Sequence, residues 1–175
     1  EYYNIPVRAI YLNKCNRLSE QAIEKIMEIV ANSSLVGFSL MSKDLNILLP
    51  LINAIKKQNI PVMAGGVHPT ALPKESLEFV DFVCVGEGEE PLRLLYKALV
   101  DKTNNFNIPN IGYKNDGKII INPITYFNSS LDSLPFPVYV FRESYILTNG
   151  KDEIKKIPTQ PEEKSKFFAG RDSFL

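Results

Sequence analysis

The residue types best suited to chemistry fall in three short clusters: Ser39-Leu40-Met41-Ser42, Gly65-Gly66-Val67-His68-Pro69-Thr70 and Gly86-Glu87-Gly88-Glu89. Each closes an apolar run, and glycine at two of these stops lets another body approach the backbone closely. His68, the only histidine, is suited to ligating a metal or hydrogen-bonding a bound group. Capping of the 65–70 turn would use it equally well. By type, Glu87 and Glu89 could form an acid/base pair, but carboxylates at a helix N-terminus also have the simpler role of facing its dipole. A dinucleotide fingerprint requires Gly-x-Gly-x-x-Gly, and its second and third glycines are missing or replaced here. Carboxylates at Glu87, Glu89 and Glu90 stand where a phosphate would sit, and no P-loop lysine follows Gly65-Gly66. These clusters suit a large, flat or weakly charged ligand, or a facing domain. The alternative is that tight strand–helix turns simply need glycine and small polar residues.

The elements that must position the clusters alternate. Residues 6–12 read as a strand, and Ser19 as the N-cap of a helix to about residue 31 with Ile23, Ile26, Met27 and Val30 on one face. Residues 35–40 are apolar on both faces, as in a central parallel strand. The next helix, residues 46–58, carries Leu48, Leu49, Ile52 and Ile55, with Pro50 expected at or near its first turn. Residues 61–64 and 82–85 read as strands, separated by a short helix over 73–79 that Pro73 opens. A helix then starts at Glu89 and Glu90, with Pro91 in its first turn and Leu92, Leu95, Tyr96 and Leu99 as its buried stripe. This alternation predicts an α/β fold with a parallel sheet and flanking helices. Ligands of such sheets bind beyond the carboxyl ends of the strands, where all three clusters fall.

After residue 103 the pattern changes. Residues 111–113 and 118–122 flank Asn115-Asp116-Gly117, a β-hairpin signal. Pro135 and Pro137 break regular structure, and residues 142–175 read as a charged linker or tail. The expected division is therefore 1–103 for the α/β domain, 104–127 for the hairpin extension and 128–175 for linker and tail. With Lys+Arg 20 balancing Asp+Glu 20, nothing draws the chain to nucleic acid or an anionic membrane. No apolar run is long enough to span a bilayer. The two cysteines, Cys15 and Cys84, are too few for a disulfide framework and fit a reducing, cytoplasmic setting. With one histidine and no Cys-x-x-Cys, the chain cannot alone supply a zinc or iron–sulfur site of usual ligand count.

The block GGVHPTALPKESLEFVDFVCVGEGEEPLRLLYKAL resembles the second half of the cobalamin-binding domain that precedes the radical S-adenosylmethionine barrel in B12-dependent radical enzymes. LVGFSLMS resembles that domain's preceding strand and loop, and DSLPFPVYVF the passage toward the barrel, so the resemblance spans roughly residues 6–141. It implies a flavodoxin-like (Rossmann-type) sheet with the corrin over the strand carboxyl ends and the nucleotide tail descending between them. By position, Ser39 and Met41 match a serine-x-leucine element whose serine faces the benzimidazole of the tail. Gly65 and Gly66 match the glycine pair that makes room for that tail. Residues 67–70 and 86–89 would lie along the corrin edge or the partner domain.

The resemblance also implies that this family's first strand and helix, with its Asp-x-His-x-x-Gly loop, have no counterpart here. In a sheet ordered 2-1-3-4-5, that removes the strand beside residues 35–40. His68 does not match the family's cobalt-ligand histidine, and no residue is expected to be catalytic. The role implied is to hold a corrinoid for methyl transfer or radical chemistry performed with the barrel. The 4Fe-4S cluster and S-adenosylmethionine would belong to that absent domain. Two other hypotheses stand beside it: a ligand-free flavodoxin-like module that docks against its barrel or a partner, and a flavin- or nucleotide-binding domain, which the acidic 86–90 turn disfavours.

Overall fold

In the computed structural model, residues 5–13, 15–130, 132, 134, 143–148 and 153–158 are described. They divide into two compact units, one comprising Ile23–Leu131 and the other drawn from Glu1–Ala22 and Asp132–Leu175.

The larger unit is built on a five-stranded sheet. Strands β2 (Val36–Ser39), β3 (Val62–Gly65) and β4 (Phe82–Cys84) run parallel, as the alternation of elements predicts. Strands β5 (Ile111–Asn115) and β6 (Lys118–Ile121) form the expected hairpin, and β5 joins β4 in antiparallel register. The sheet order is β2-β3-β4-β5-β6. The fold is α/β with a mixed, largely parallel sheet of flavodoxin-like type. Asp116 and Gly117 close the hairpin with φ of 48° and 76°, the left-handed pair that a two-residue type I′ turn requires.

β2 departs from expectation. Instead of lying centrally it stands at the sheet edge among the described residues, with Gly37 and Ser39 exposed and Val36 and Phe38 half-buried. A strand with one hydrogen-bonded neighbour buries less than one flanked on both sides, and the strand that the resemblance sets beside residues 35–40 is not among those described.

Helix α1 (Glu20–Val30) starts where Ser19 caps it, the Ser19 Oγ accepting the Ala22 amide at 3.0 Å. Helix α2 (Leu45–Lys57) follows a 3-10 turn at Ser42–Asp44 and begins earlier than expected. Pro50 is thus interior, its ring side exposed, and the helix loses one amide donor there. The face turned to the core carries Leu48, Leu51, Ile52 and Ile55; Leu49 is only half-buried. Two short helices, α3 (Val67–Ala71) and α4 (Pro73–Ser76), replace the turn and single helix expected between β3 and β4. Helix α5 (Glu89–Val100) has Glu89 and Glu90 in its first turn as predicted, but its buried stripe is Pro91, Leu95 and Ala98. Leu92 is exposed, because the helix is rotated so that Leu94, Leu95 and Leu99 meet the core with Met63, Phe82, Cys84, Ile108 and Ile111. Phe106 packs edge-on against Phe82 and Tyr113, with ring centroids 4.9 and 5.5 Å apart, and so fastens the loop before β5 to this core.

The smaller unit corrects two expectations. β1 (Arg8–Asn13), predicted as part of the main sheet, pairs in parallel with β7 (Glu143–Thr148) from Arg8↔Glu143 to Asn13↔Thr148. β8 (Ile154–Lys156) pairs antiparallel with β7. Part of the supposed tail is therefore sheet. Its Ile146, Leu147 and Ile157 are buried, and burial of apolar side chains outweighs the charged composition that made residues 142–175 look like a linker. Pro135, Pro137 and residues 159–175 lie outside the described residues. Among the described residues no helix is long and apolar enough to cross a membrane.

Candidate functional site

The three predicted clusters meet at the carboxyl edge of β2, β3 and β4, joined by hydrogen bonds from one strand exit to the next. The first exit grips the second through the main chain: the Leu40 amide donates to the Gly65 carbonyl at 2.8 Å, and the His68 amide donates to the Leu40 carbonyl at 3.1 Å. A side-chain bond reinforces this grip, Ser42 Oγ and His68 Nδ1 sharing a proton at 3.0 Å. The second exit grips the third, since the Gly86 amide donates to Thr70 Oγ1 at 3.1 Å. Ser39, Leu40, Ser42, Gly65, Gly66, His68, Thr70 and Gly86 thus form one cross-braced rim.

The two adjacent glycines do different work. Gly66 has φ 98° and ψ −166°, a conformation nearly confined to glycine. A methyl group there would lie 3.0 Å from the Leu40 carbonyl oxygen, 3.1 Å from its nitrogen and 3.3 Å from Ser39 Oγ. Gly65, in ordinary strand conformation, would place a methyl in ordinary contact with Cys84 Cβ at 3.9 Å and against nothing else within 4 Å, so the strand end has room for a small group. Gly66 is therefore the joint that seats β2 against β3, and Gly65 the opening. Met41 and Val67 stand exposed on this rim, and none of the three clusters contains a lysine or arginine.

His68 ties the second exit to the first through its ring. Its ring is buried, stacked 6.5 Å from Phe79, with Nδ1 committed to Ser42. Nε2 is buried without a hydrogen-bond partner among the described residues, and the nearest carboxylate oxygen, of the exposed Glu75, lies 4.0 Å away. Pro69 is buried beside it. No group of three or more His, Cys, Asp or Glu among the described residues is placed to hold a metal ion. Cys84 is buried under the third exit, its thiol donating to the Glu87 carbonyl at 3.6 Å. Burial, with a smaller contribution from the Glu89 carboxylate, pushes its pKa up to about 11, so at neutral pH it is a protonated thiol and a poor nucleophile.

The carboxylates of the third exit are engaged locally. Glu90 pairs with Arg93 one turn along α5, and the Glu87 carboxylate accepts the Asn128 amide. Gly88 starts α5 with Cys84 Sγ lying 3.4 Å from where its Cβ would be, and Glu89 follows in the first turn. Glu87 and Glu89 are not assembled as an acid/base pair with any base on the rim.

One residue central to the edge escaped the sequence reading. Asn110, completely buried with φ 64°, precedes β5 and faces the third exit. Its Nδ2 donates to the carbonyls of Glu87 (3.3 Å) and Tyr126 (3.0 Å), and its Oδ1 accepts the amides of Thr125 (3.1 Å) and Tyr126 (3.0 Å). Its main chain accepts from Val85 at 2.8 Å and donates to Pro123 at 3.1 Å. The available signal was the Pro109-Asn110 pair, a turn signature in which asparagine tolerates positive φ.

A profile of the B12 binding domain family matches residues 7–96, half the chain. No curated protein is significantly similar to it. Among solved structures, the chain is similar to the radical S-adenosylmethionine methyltransferase TsrM from Kitasatospora setae, solved with tryptophan substrate and a SAM analog. There the TM-score is 0.53 at 16% identity over 67% of this chain and 30% of that one. It is also similar to the cobalamin-dependent S-adenosylmethionine radical enzyme OxsB, solved with aqua-cobalamin and S-adenosylmethionine. There the TM-score is 0.55 at 17% identity over 73% of this chain and 23% of that one. At these identities the likeness is one of fold, and the chain spans less than a third of either protein. Through the match over residues 7–96, which takes in all three strand exits, the chain belongs to the B12-binding domain family.

Proposed function

We propose that the carboxyl edge of β2, β3 and β4 holds a cobalamin, and that the chain is the corrinoid-binding part of a radical S-adenosylmethionine enzyme. The observation that carries this reading is the contrast at Gly65-Gly66. One glycine is locked into the rim, while the other, opposite Ser39 in the β2–β3 register, leaves room for a small group at a strand end. Such an opening has no use in bracing the sheet, and it suits a ligand tail that passes between strands. Exposed Met41 and Val67 and a rim without lysine or arginine suit the broad apolar face of a corrin better than a nucleotide phosphate. Ser39, Leu40, Met41, Gly65 and Gly66 would flank the tail. Val67, Thr70 and Gly86 would lie along the ring, with Ser42, His68, Pro69, Glu87, Gly88 and Glu89 setting the rim's shape.

The chemistry that a corrinoid supplies when bound, methyl transfer or radical generation, belongs to the cofactor; the chain's part is to hold and orient it. An iron–sulfur cluster and S-adenosylmethionine would sit in a barrel domain of the same polypeptide. A chain with only two cysteines, Cys15 and Cys84, suits a reducing, cytoplasmic setting. Titration with hydroxocobalamin, followed by desalting and a visible spectrum, tests the reading. Retained corrinoid absorbance supports it. Retention of flavin mononucleotide at micromolar levels, with loss of corrinoid, would replace it with a flavin site.

A further inference from the structure

The hairpin extension returns to the same edge as the three exits. Because Cys84 pairs with Ile111 and Gly112 with Ile121, the start of β5 and the end of β6 both lie beside the carboxyl end of β4. The chain leaving β6 is then clasped onto the Gly86–Gly88 turn. Asn110 binds the amides of Thr125 and Tyr126, the carbonyl of Tyr126 and the carbonyl of Glu87. The Glu87 carboxylate takes the Asn128 amide. Phe127 therefore has its backbone fixed on both flanks, while its side chain remains 67% exposed. A scattered surface apolar residue means nothing by itself. Here a buried asparagine in a left-handed conformation uses both ends of its side-chain amide to hold the backbone beside one exposed aromatic residue next to the Gly86–Gly88 turn.

We propose that residues 124–128 form a further wall of the ligand site, with Phe127 contacting the corrinoid and Asn110 as the positioning residue that presents it. This rests on the cobalamin reading above. Asparagine suits the task because its side chain offers a donor and an acceptor at once, and because it accepts positive φ at less cost than most residues. A fixed aromatic ring gives contact area at little entropic cost on binding, since the strap is ordered in advance. The strap also gives Glu87 its use: the carboxylate anchors backbone and does not face ligand.

The test is equilibrium binding of hydroxocobalamin to the full-length protein and to F127A, N110G and the double variant, with Tm recorded for each. N110G removes the clasp without strain at φ 64°. Loss of the ring contact is expected to weaken binding about tenfold in F127A, with Tm essentially unchanged. N110G is expected to lower Tm and to weaken binding at least as much. In the double variant the two binding losses should not add, because Asn110 acts through Phe127. Unchanged affinity in F127A, with the parent binding normally, would overturn the strap proposal and leave the site itself standing. Additive losses would overturn the positioning role of Asn110. A parent protein that retains no corrinoid would refute the site reading, and this proposal with it.

Discussion

The glycine pair allows fold and ligand to be separated by a single methyl group placed at either of two adjacent positions. Gly66→Ala must adopt φ 98° and bring Cβ to 3.0–3.1 Å from the Leu40 main chain. Strained backbone of this kind costs about 1–3 kcal/mol, and crowding of atoms that cannot retreat adds about 1 more, for a total of about 2–4 kcal/mol. In a chain of this length that lowers Tm by roughly 5–15 °C. Gly65→Ala needs no unusual φ and meets only Cys84 Cβ at 3.9 Å. Its folding stability should stay within about 1 kcal/mol of the parent, and restricting the unfolded chain can even raise it. Yet the methyl stands in the opening assigned to the ligand tail, and corrinoid affinity should fall at least about tenfold. Thermal unfolding followed by circular dichroism, together with hydroxocobalamin titration, reads both quantities. Parent-like binding by Gly65→Ala would refute the assignment of that opening, and a parent-like Tm for Gly66→Ala would refute the account of the joint.

Two further outcomes follow from packing and ionisation. The Cys84 pKa is raised in the folded state, so from about pH 9 upward the unfolded chain gives up its thiol proton first and stability falls until about pH 11. The loss should reach about 2 kcal/mol after allowance for solvent screening, and Cys84→Ala should flatten the denaturant-measured stability over that window. An equal slope in the variant would assign it to other groups. Pro50→Ala restores an amide donor inside α2 at an exposed position and should raise stability by about 1–3 kcal/mol, seen as a higher Tm. An unchanged or lower Tm would show that the proline is accommodated without cost.

Much of the parallel half of the fold could be read from local pattern. The Ser19 cap, the acidic start of α5 and the Asp116-Gly117 turn are signals carried by a few adjacent residues, and each appears where expected. The strand exits were readable for the same reason, since glycine and polar residues end apolar runs. What was not readable depended on distant partners. β1 and β7 pair across well over a hundred residues, and nothing in either segment names the other. Pro50 argued for a later helix start, but the preceding 3-10 turn and the buried Leu48–Ile55 face outweigh its local preference. Leu92 followed helical spacing yet is exposed, because the sheet and the loop at Phe106 decide which face of α5 turns inward. Asn110 was hidden because its four side-chain bonds go to residues 15, 16 and 23 positions away. The bracing of the rim by His68 and Ser42 is likewise a contact between exits, invisible in either alone.

The central claim is that this edge holds cobalamin. Its most direct test is elemental analysis of cobalt in the full-length protein after equilibration with hydroxocobalamin and gel filtration. Cobalt should co-elute with the polypeptide in equimolar amount and be lost in Gly65→Ala while that variant stays folded. Protein that elutes folded and free of cobalt would contradict the claim.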